Sequence, residues 1–169
     1  MSAAVLLKAI KFNTRIDDSK KLSPLERENA FPDIVNNSEF GISIVSEKII
    51  DRINILEATR LSMQQAVISL VKKLDAFRDK RIYVIVDGNM SLDLDLPYTS
   101  IVKGDTKSKS IAAASILAKV TRDRIMIKYD KIYPEYGFAR HKGYPTREHR
   151  DILRKIGPSR IHRKSFQGV

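Results

Sequence analysis

The sequence predicts an α/β domain in which a mixed sheet is flanked by helices and followed by a helical C-terminal region. Three observations predict it. Four short apolar runs have the patterning of strands, apolar positions recur at helical spacing between and after them, and cap and stop residues mark where the helices begin and end. Their order is strand, helix, strand, helix, strand, strand, helix, helix.

Ala3 to Leu7 reads as the first strand. Ser23-Pro24-Leu25-Glu26 then marks a helix start, because a Ser cap is followed by Pro at the first helical position and Glu three residues after the cap. Phe40 to Val45 alternates like a strand. Asn54-Ile55-Leu56-Glu57 repeats the cap-plus-acid arrangement, and Ile55, Thr59, Met63, Ala66, Val67, Leu70 and Leu74 follow on one helical face. Ile82 to Val86 is apolar at consecutive positions, as in a strand covered on both sides, and Tyr98 to Val102 resembles it. A third helix runs from about Ser110 towards Tyr133 and stops at Pro134. Thr146 caps a last helix that ends near Ile156, where Gly157-Pro158 is the stop.

With 169 residues and 43% apolar content, the chain suits one domain over 1–169 with a real core. It has no Cys, which excludes disulfides, thiolate zinc sites and cysteine nucleophiles. No apolar stretch reaches the roughly 18 residues of a membrane span, so a cytoplasmic protein without membrane contact is expected, and separately a monomer. The formal charge is +11 and is unevenly distributed: residues 1–102 carry 14 Lys/Arg against 14 Asp/Glu, whereas 103–169 carry 17 against 6. Such a basic region suits a polyanion.

Two carboxylates stand where phosphodiester chemistry would use them. Asp87 ends the run from Ile82 and precedes Gly88, and Asp105 follows the run from Tyr98 through Lys103-Gly104. Acids at neighbouring strand ends can share a divalent cation. The plainer alternatives are a turn-forming Asp-Gly pair at Asp87 and a helix cap at Asp105. Lys103 either neutralises phosphate charge or merely flanks the strand. Asp123, between Arg122 and Arg124, is a third candidate at the metal site, against the alternative of a local ion pair. Asp18-Ser19-Lys20-Lys21 is a basic loop for a phosphate or an ordinary solvated turn. The stretch from Tyr136 to Thr146 interleaves aromatics, glycines and basic residues, including Lys142 and Tyr144. It suits either nucleic-acid contact or a surface loop with core aromatics. His141, His149 and His162 look scattered and without partners, which argues against imidazole catalysis.

These motifs occur in one order across nearly the whole chain and resemble bacterial ribonuclease HII. They comprise Asp18 to Ser23, Ile53 to Thr59, Val86 to Asn89, Val102 to Asp105, Ala113 to Asp123, Tyr136 to Pro145, and Arg163 to Phe166. The resemblance implies a ribonuclease H-like fold. It also implies a Mg²⁺- or Mn²⁺-dependent endonuclease that cuts the RNA strand of RNA–DNA hybrids, or 5′ to a ribonucleotide embedded in duplex DNA. By the same resemblance Asp87 and Asp105 are metal ligands, Tyr144 stacks against the junction sugar, and Ser19, Lys20 and Lys103 lie near the substrate backbone. In the family the first, central strand carries Asp-Glu-Ala-Gly-Arg-Gly with two further metal carboxylates, and this sequence picks up at the second strand. The expectation is therefore a polypeptide with unpaired backbone in its core and with absent or impaired activity. A non-catalytic nucleic-acid-binding module is the alternative.

Overall fold

A computed structural model describes residues 1–74 and 82–166. The chain divides into two compact units, Met1–Ile44 with Thr59–Val120, and Val45–Ala58 with Thr121–Val169. Strands β1 (Ser2–Leu7), β2 (Ser38–Ser43), β3 (Val84–Asp87) and β4 (Tyr98–Ile101) all lie in the first unit. The helices are α1 (Pro24–Asn36), α2 (Glu47–Lys73), α3 (Lys109–Ile132), α4 (Phe138–His141) and α5 (Arg147–Ile156). Among the described residues no helix is long and apolar enough to cross a membrane.

In the first unit, β1 and β2 run antiparallel, with Ser2 opposite Ser43 and Leu7 opposite Ser38. β3 and β4 run parallel, with Val84 opposite Tyr98 and Asp87 opposite Ile101. The expected mixture of directions is thus present as two separate pairs. Helix α1 starts where its signals place it. Ser23 Oγ accepts from Glu26 N–H at 3.2 Å, and Glu26 Oε2 accepts from Ser23 N–H at 2.7 Å. Its Ala30 and Ile34 join Leu22, Ala113, Ile116, Leu117 and Val120 in a buried cluster. Gly41 lets β2 approach the backbone of α2 closely: a Cβ there would stand 2.2 Å from Ala66 O and 2.5 Å from Leu70 N.

The second unit corrects two expectations. The helix expected to begin at Asn54 already runs from Glu47, and Asn54 breaks it with φ 66° and ψ 170°. Asn tolerates this left-handed φ better than most residues, and its Oδ1 accepts from Leu56 and Glu57 N–H at 2.9 and 3.1 Å. The cap was read correctly, but it restarts a helix. The three histidines, expected to lack partners, are instead clustered. The His141 and His149 rings stack at 4.1 Å, and His149 Nε2 lies 3.1 Å from His162 Nε2.

Hydrogen-bond partners fix the protonation of this cluster. Tyr144 O can only accept, so the His149 Nδ1 at 3.0 Å carries the hydrogen and its Nε2 accepts from His162. The His162 Nδ1 is then free to accept from Ser159 N–H and Oγ, at 2.9 and 2.8 Å. A proton added to either ring would set N–H against N–H. Burial accordingly pushes both imidazoles down, His162 to about 4, and neighbouring rings add to it, His141 at His149 and both His149 and His141 at His162. A histidine depressed in the folded state contributes stability that is present above its unfolded value near 6.5 and is lost as pH falls through its folded value. Acidification from about pH 6.5 to 4 should cost on the order of 2 kcal/mol, allowing for the water that still reaches the rings. A melting series reads the loss, and His162→Gln should flatten it.

The stretch from Tyr136 to Thr146 is only partly loop. Tyr136 and Phe138 are buried and stack at 5.3 Å, α4 carries Phe138 inward, and Leu153 of α5 completes the cluster. Thr146 caps α5 by accepting from His149 N–H at 3.2 Å, and the helix ends at Gly157 as expected.

Candidate active site

β3 ends on Asp87, and Gly88 turns the chain away with φ 90° while its N–H bonds to Ile101 O at 3.0 Å. After β4 the chain turns through Lys103 at φ 55° into a 3₁₀ turn over Gly104–Thr106. This turn brings the second motif back to the first: Gly104 N–H donates to Asp87 Oδ1 at 2.8 Å. A Cβ on Gly104 would stand 2.6 Å from Ile111 Cδ1 and 3.3 Å from that same oxygen, so glycine permits the approach.

Asp105, the next residue, is 7% exposed. Burial first, then the carboxylates of Asp87 and Asp18, push its carboxyl above the ordinary aspartate range, while Lys20 opposes them. Two acids of the first unit therefore act on a third. Among the described residues, however, no group of three or more His, Cys, Asp or Glu side chains converges closely enough to hold a metal ion. Asp18 was not singled out from the sequence. Its Oδ1 accepts from Lys20 N–H at 2.9 Å, an ordinary turn bond, and only the fold brings it near Asp105.

The other expected site residues take varied positions. Ser19 is buried and its hydroxyl bonds Ser115 Oγ at 2.7 Å, so its side chain is engaged inside the protein. Lys20 and Lys103 are exposed. The loop holding Ser19 and Lys20 is braced by Arg27, whose Nη1 donates to Ser19 O at 2.8 Å and Leu22 O at 2.5 Å. Asp123 belongs to the second unit, where its carboxylate lies 3.6 Å from Arg122. Lys142, half-buried at φ 50°, bonds through Nζ to Ala139 O. Tyr144 is half exposed, with the Arg122 guanidinium 4.9 Å from its ring centre.

The family model for ribonuclease HII matches residues 2–169. The chain belongs to the ribonuclease HII family. Its enzymatic class is accordingly that of the type II ribonucleases H, which are phosphodiester hydrolases. It is 45% identical over 167 residues to ribonuclease HII of Alkaliphilus metalliredigens, covering 98% of this chain and 81% of the relative. It is 48% identical over 170 residues to that of Lactobacillus helveticus, covering 100% and 65%. The chain thus spans about two thirds to four fifths of the length of these relatives. Among solved structures, ribonuclease H2 of Pyrococcus horikoshii OT3 superposes with a TM-score of 0.70 at 22% identity, covering 98% of this chain and 93% of that one. The ribonuclease HII in a PCNA complex from Archaeoglobus fulgidus gives 0.61 at 20% identity, covering 90% and 78%. These structural likenesses show a shared ribonuclease H-like fold.

Proposed function

We propose that this family member is a metal-dependent endonuclease acting on the RNA strand of RNA–DNA hybrids or 5′ to a ribonucleotide in duplex DNA. Asp87 and Asp105 are its metal carboxylates. The observation that carries this reading is the Gly104 N–H bond to Asp87 Oδ1, which draws Asp105 into a buried position against like charge. A buried carboxylate crowded by like charge fits a divalent cation, because the cation's charge offsets both the burial and the repulsion.

A bound Mg²⁺ or Mn²⁺ would supply Lewis acidity and lower the pKa of water. The residues of this chain supply position. Gly104 N–H fixes one lone pair of Asp87, and the 3₁₀ turn holds Asp105 beside it. Lys20 and Lys103 offer exposed ammonium groups to phosphate, while Tyr144 offers a ring face held by Arg122. Asp123 fits a supporting role at most, since its carboxylate pairs with Arg122. Residues 1–169 are proposed to belong to a single ribonuclease HII-like domain that acts as a monomer.

A polypeptide of these 169 residues alone contains two of the four carboxylates the resemblance implies, so its expected turnover is low or absent. The test is a cleavage assay on a duplex carrying one ribonucleotide, with Mn²⁺, Mg²⁺ or chelator. Metal-dependent 5′ incision that disappears in Asp87→Asn supports the assignment, and near-family turnover would overturn the expected impairment. Binding of the duplex without incision, whether or not metal is present, favours the non-catalytic module suggested by the excess of basic residues after 102.

A further inference from the structure

Helix α1 begins at Pro24 behind its Ser23 cap, and Arg27 stands one turn in, with its N–H on Ser23 O at 3.1 Å. Helical side chains lean towards the N-terminus of their own helix, so an arginine in the first turn reaches back over the residues that precede the cap. Arg27 does so, and a single nitrogen, Nη1, holds the carbonyls of both Ser19 and Leu22. Those two residues are only 7% and 3% exposed. A buried carbonyl needs a donor, and here one guanidinium serves both ends of a four-residue stretch.

The same stretch is fastened on its other sides. The Ser19 hydroxyl meets Ser115 on α3, and the Leu22 side chain lies in the buried cluster with Ala30 and Ile34. At the tip Asp18 closes a turn: Lys20 N–H donates to Asp18 Oδ1 and Lys21 N–H to Asp18 O, each at 2.9 Å. Lys20 and Lys21 are left exposed between these anchors. With both flanks pinned, the backbone at Lys20 has little freedom, and the lysine's charge acts on Asp105 within the same unit. Arg27 is half-buried, and its bonds face the chain that it braces.

We propose that Arg27 is a positioning residue for nucleic-acid binding: it holds the main chain from Ser19 to Leu22 in the form that presents the Lys20 ammonium to a phosphate of the duplex backbone. This inference rests on the reading of Lys20 as a phosphate contact given above. Arg27 itself meets no phosphate. Without its guanidinium the two carbonyls turn out to water, and the loop must be ordered again when the duplex binds, which weakens affinity.

The probe is a fluorescein-labelled DNA duplex carrying one ribonucleotide. It is titrated by anisotropy, in chelator and at several salt concentrations, with the 169-residue protein and its Lys20→Ala, Arg27→Met and double variants. Lys20→Ala should bind about tenfold more weakly and lower the slope of log affinity against log salt by about one, the signature of one phosphate contact. Arg27→Met keeps the apolar stem and should match it in both measures while keeping the circular dichroism spectrum. Added to Lys20→Ala, it should change affinity by less than about twofold, because both act through one contact. Nitrogen-15 relaxation should show the Lys20 and Lys21 amides mobilised in Arg27→Met. Arg27→Lys carries the charge on a shorter, unforked head and should recover only part of the affinity; it replaces Arg27→Met if that variant does not fold. Wild-type affinity in Arg27→Met would make the arginine a structural residue alone and overturn the proposal, as would unchanged amide relaxation. So would an additive loss in the double variant, which would mean that Arg27 meets the duplex itself. Wild-type affinity in Lys20→Ala would instead overturn the reading of Lys20, and this inference with it, so the two failures are told apart.

Discussion

Asp105→Asn should make the metal-free protein melt higher while weakening Mn²⁺ binding on the order of a hundredfold. The two effects have one cause. The Asp105 carboxylate is buried and repelled by Asp87 and Asp18, a rise that Lys20 and a backbone hydrogen bond at Thr106 offset only in part. Asn keeps the shape and removes the charge, so the repulsion disappears along with the cation ligand. The pH dependence provides an internal check. A carboxyl raised in the folded state contributes stability that is fully present below its unfolded value near 4 and is lost as pH rises through its folded value. Wild-type metal-free protein should therefore lose stability over that rise, and Asp105→Asn should not. Saturating Mn²⁺ should restore the wild type alone. This trend is opposite in sign to that of the histidine cluster, where stability is lost as pH falls. Calorimetric titration and melting between pH 4 and 8 separate the two. Equal Mn²⁺ affinity in the two proteins would show that Asp105 is not a ligand.

Gly41→Ala should lower stability by about 3 kcal/mol, or roughly 8 °C in melting temperature. The methyl group would meet Ala66 O and Leu70 N, both backbone atoms, so no side chain can rotate away. Strand β2 or helix α2 must shift, and β2 is held to β1 along its length. Gly88→Ala is the contrast: a Cβ there meets nothing within 4 Å, and only the positive φ is strained, which costs about 1–2 kcal/mol. Denaturant melts of both variants check the order. A Gly41→Ala protein as stable as wild type would mean that the strand and helix are not in such close contact.

Much of the fold was legible because local chemistry marks it. The Ser23–Glu26 box, the Thr146 cap and the Gly157 stop depend on atoms within four residues, and all three appear as expected. The end of the strand at Asp87 was legible for the same reason. Asn54 was ambiguous in principle, since an Asn cap gives the same pattern whether it opens a helix or restarts one after a break. What the sequence concealed depends on distant contacts. Nothing near Ser19 reveals that its hydroxyl meets Ser115, 96 positions on. Likewise His141, His149 and His162 come together only when α4, α5 and the C-terminal segment pack. Asp18 is half of an ordinary turn in the sequence and gains significance through its charge at Asp105.

The resemblance named the motifs, and the geometry gives their physical reason. Gly104 is small because its N–H meets Asp87 at close range with the Ile111 side chain packed against the same spot, and Lys103 takes a left-handed φ because the chain must reverse there. On the proposed reading, the same bond leaves the pair of acids in need of a cation.

That dependence is tested most directly by soaking crystals in Mn²⁺ and collecting anomalous data at the manganese edge. The account predicts a peak within bonding distance of both the Asp87 and Asp105 carboxylates, absent in Asp105→Asn crystals. Manganese bound elsewhere, or at only one of the two acids, would contradict it.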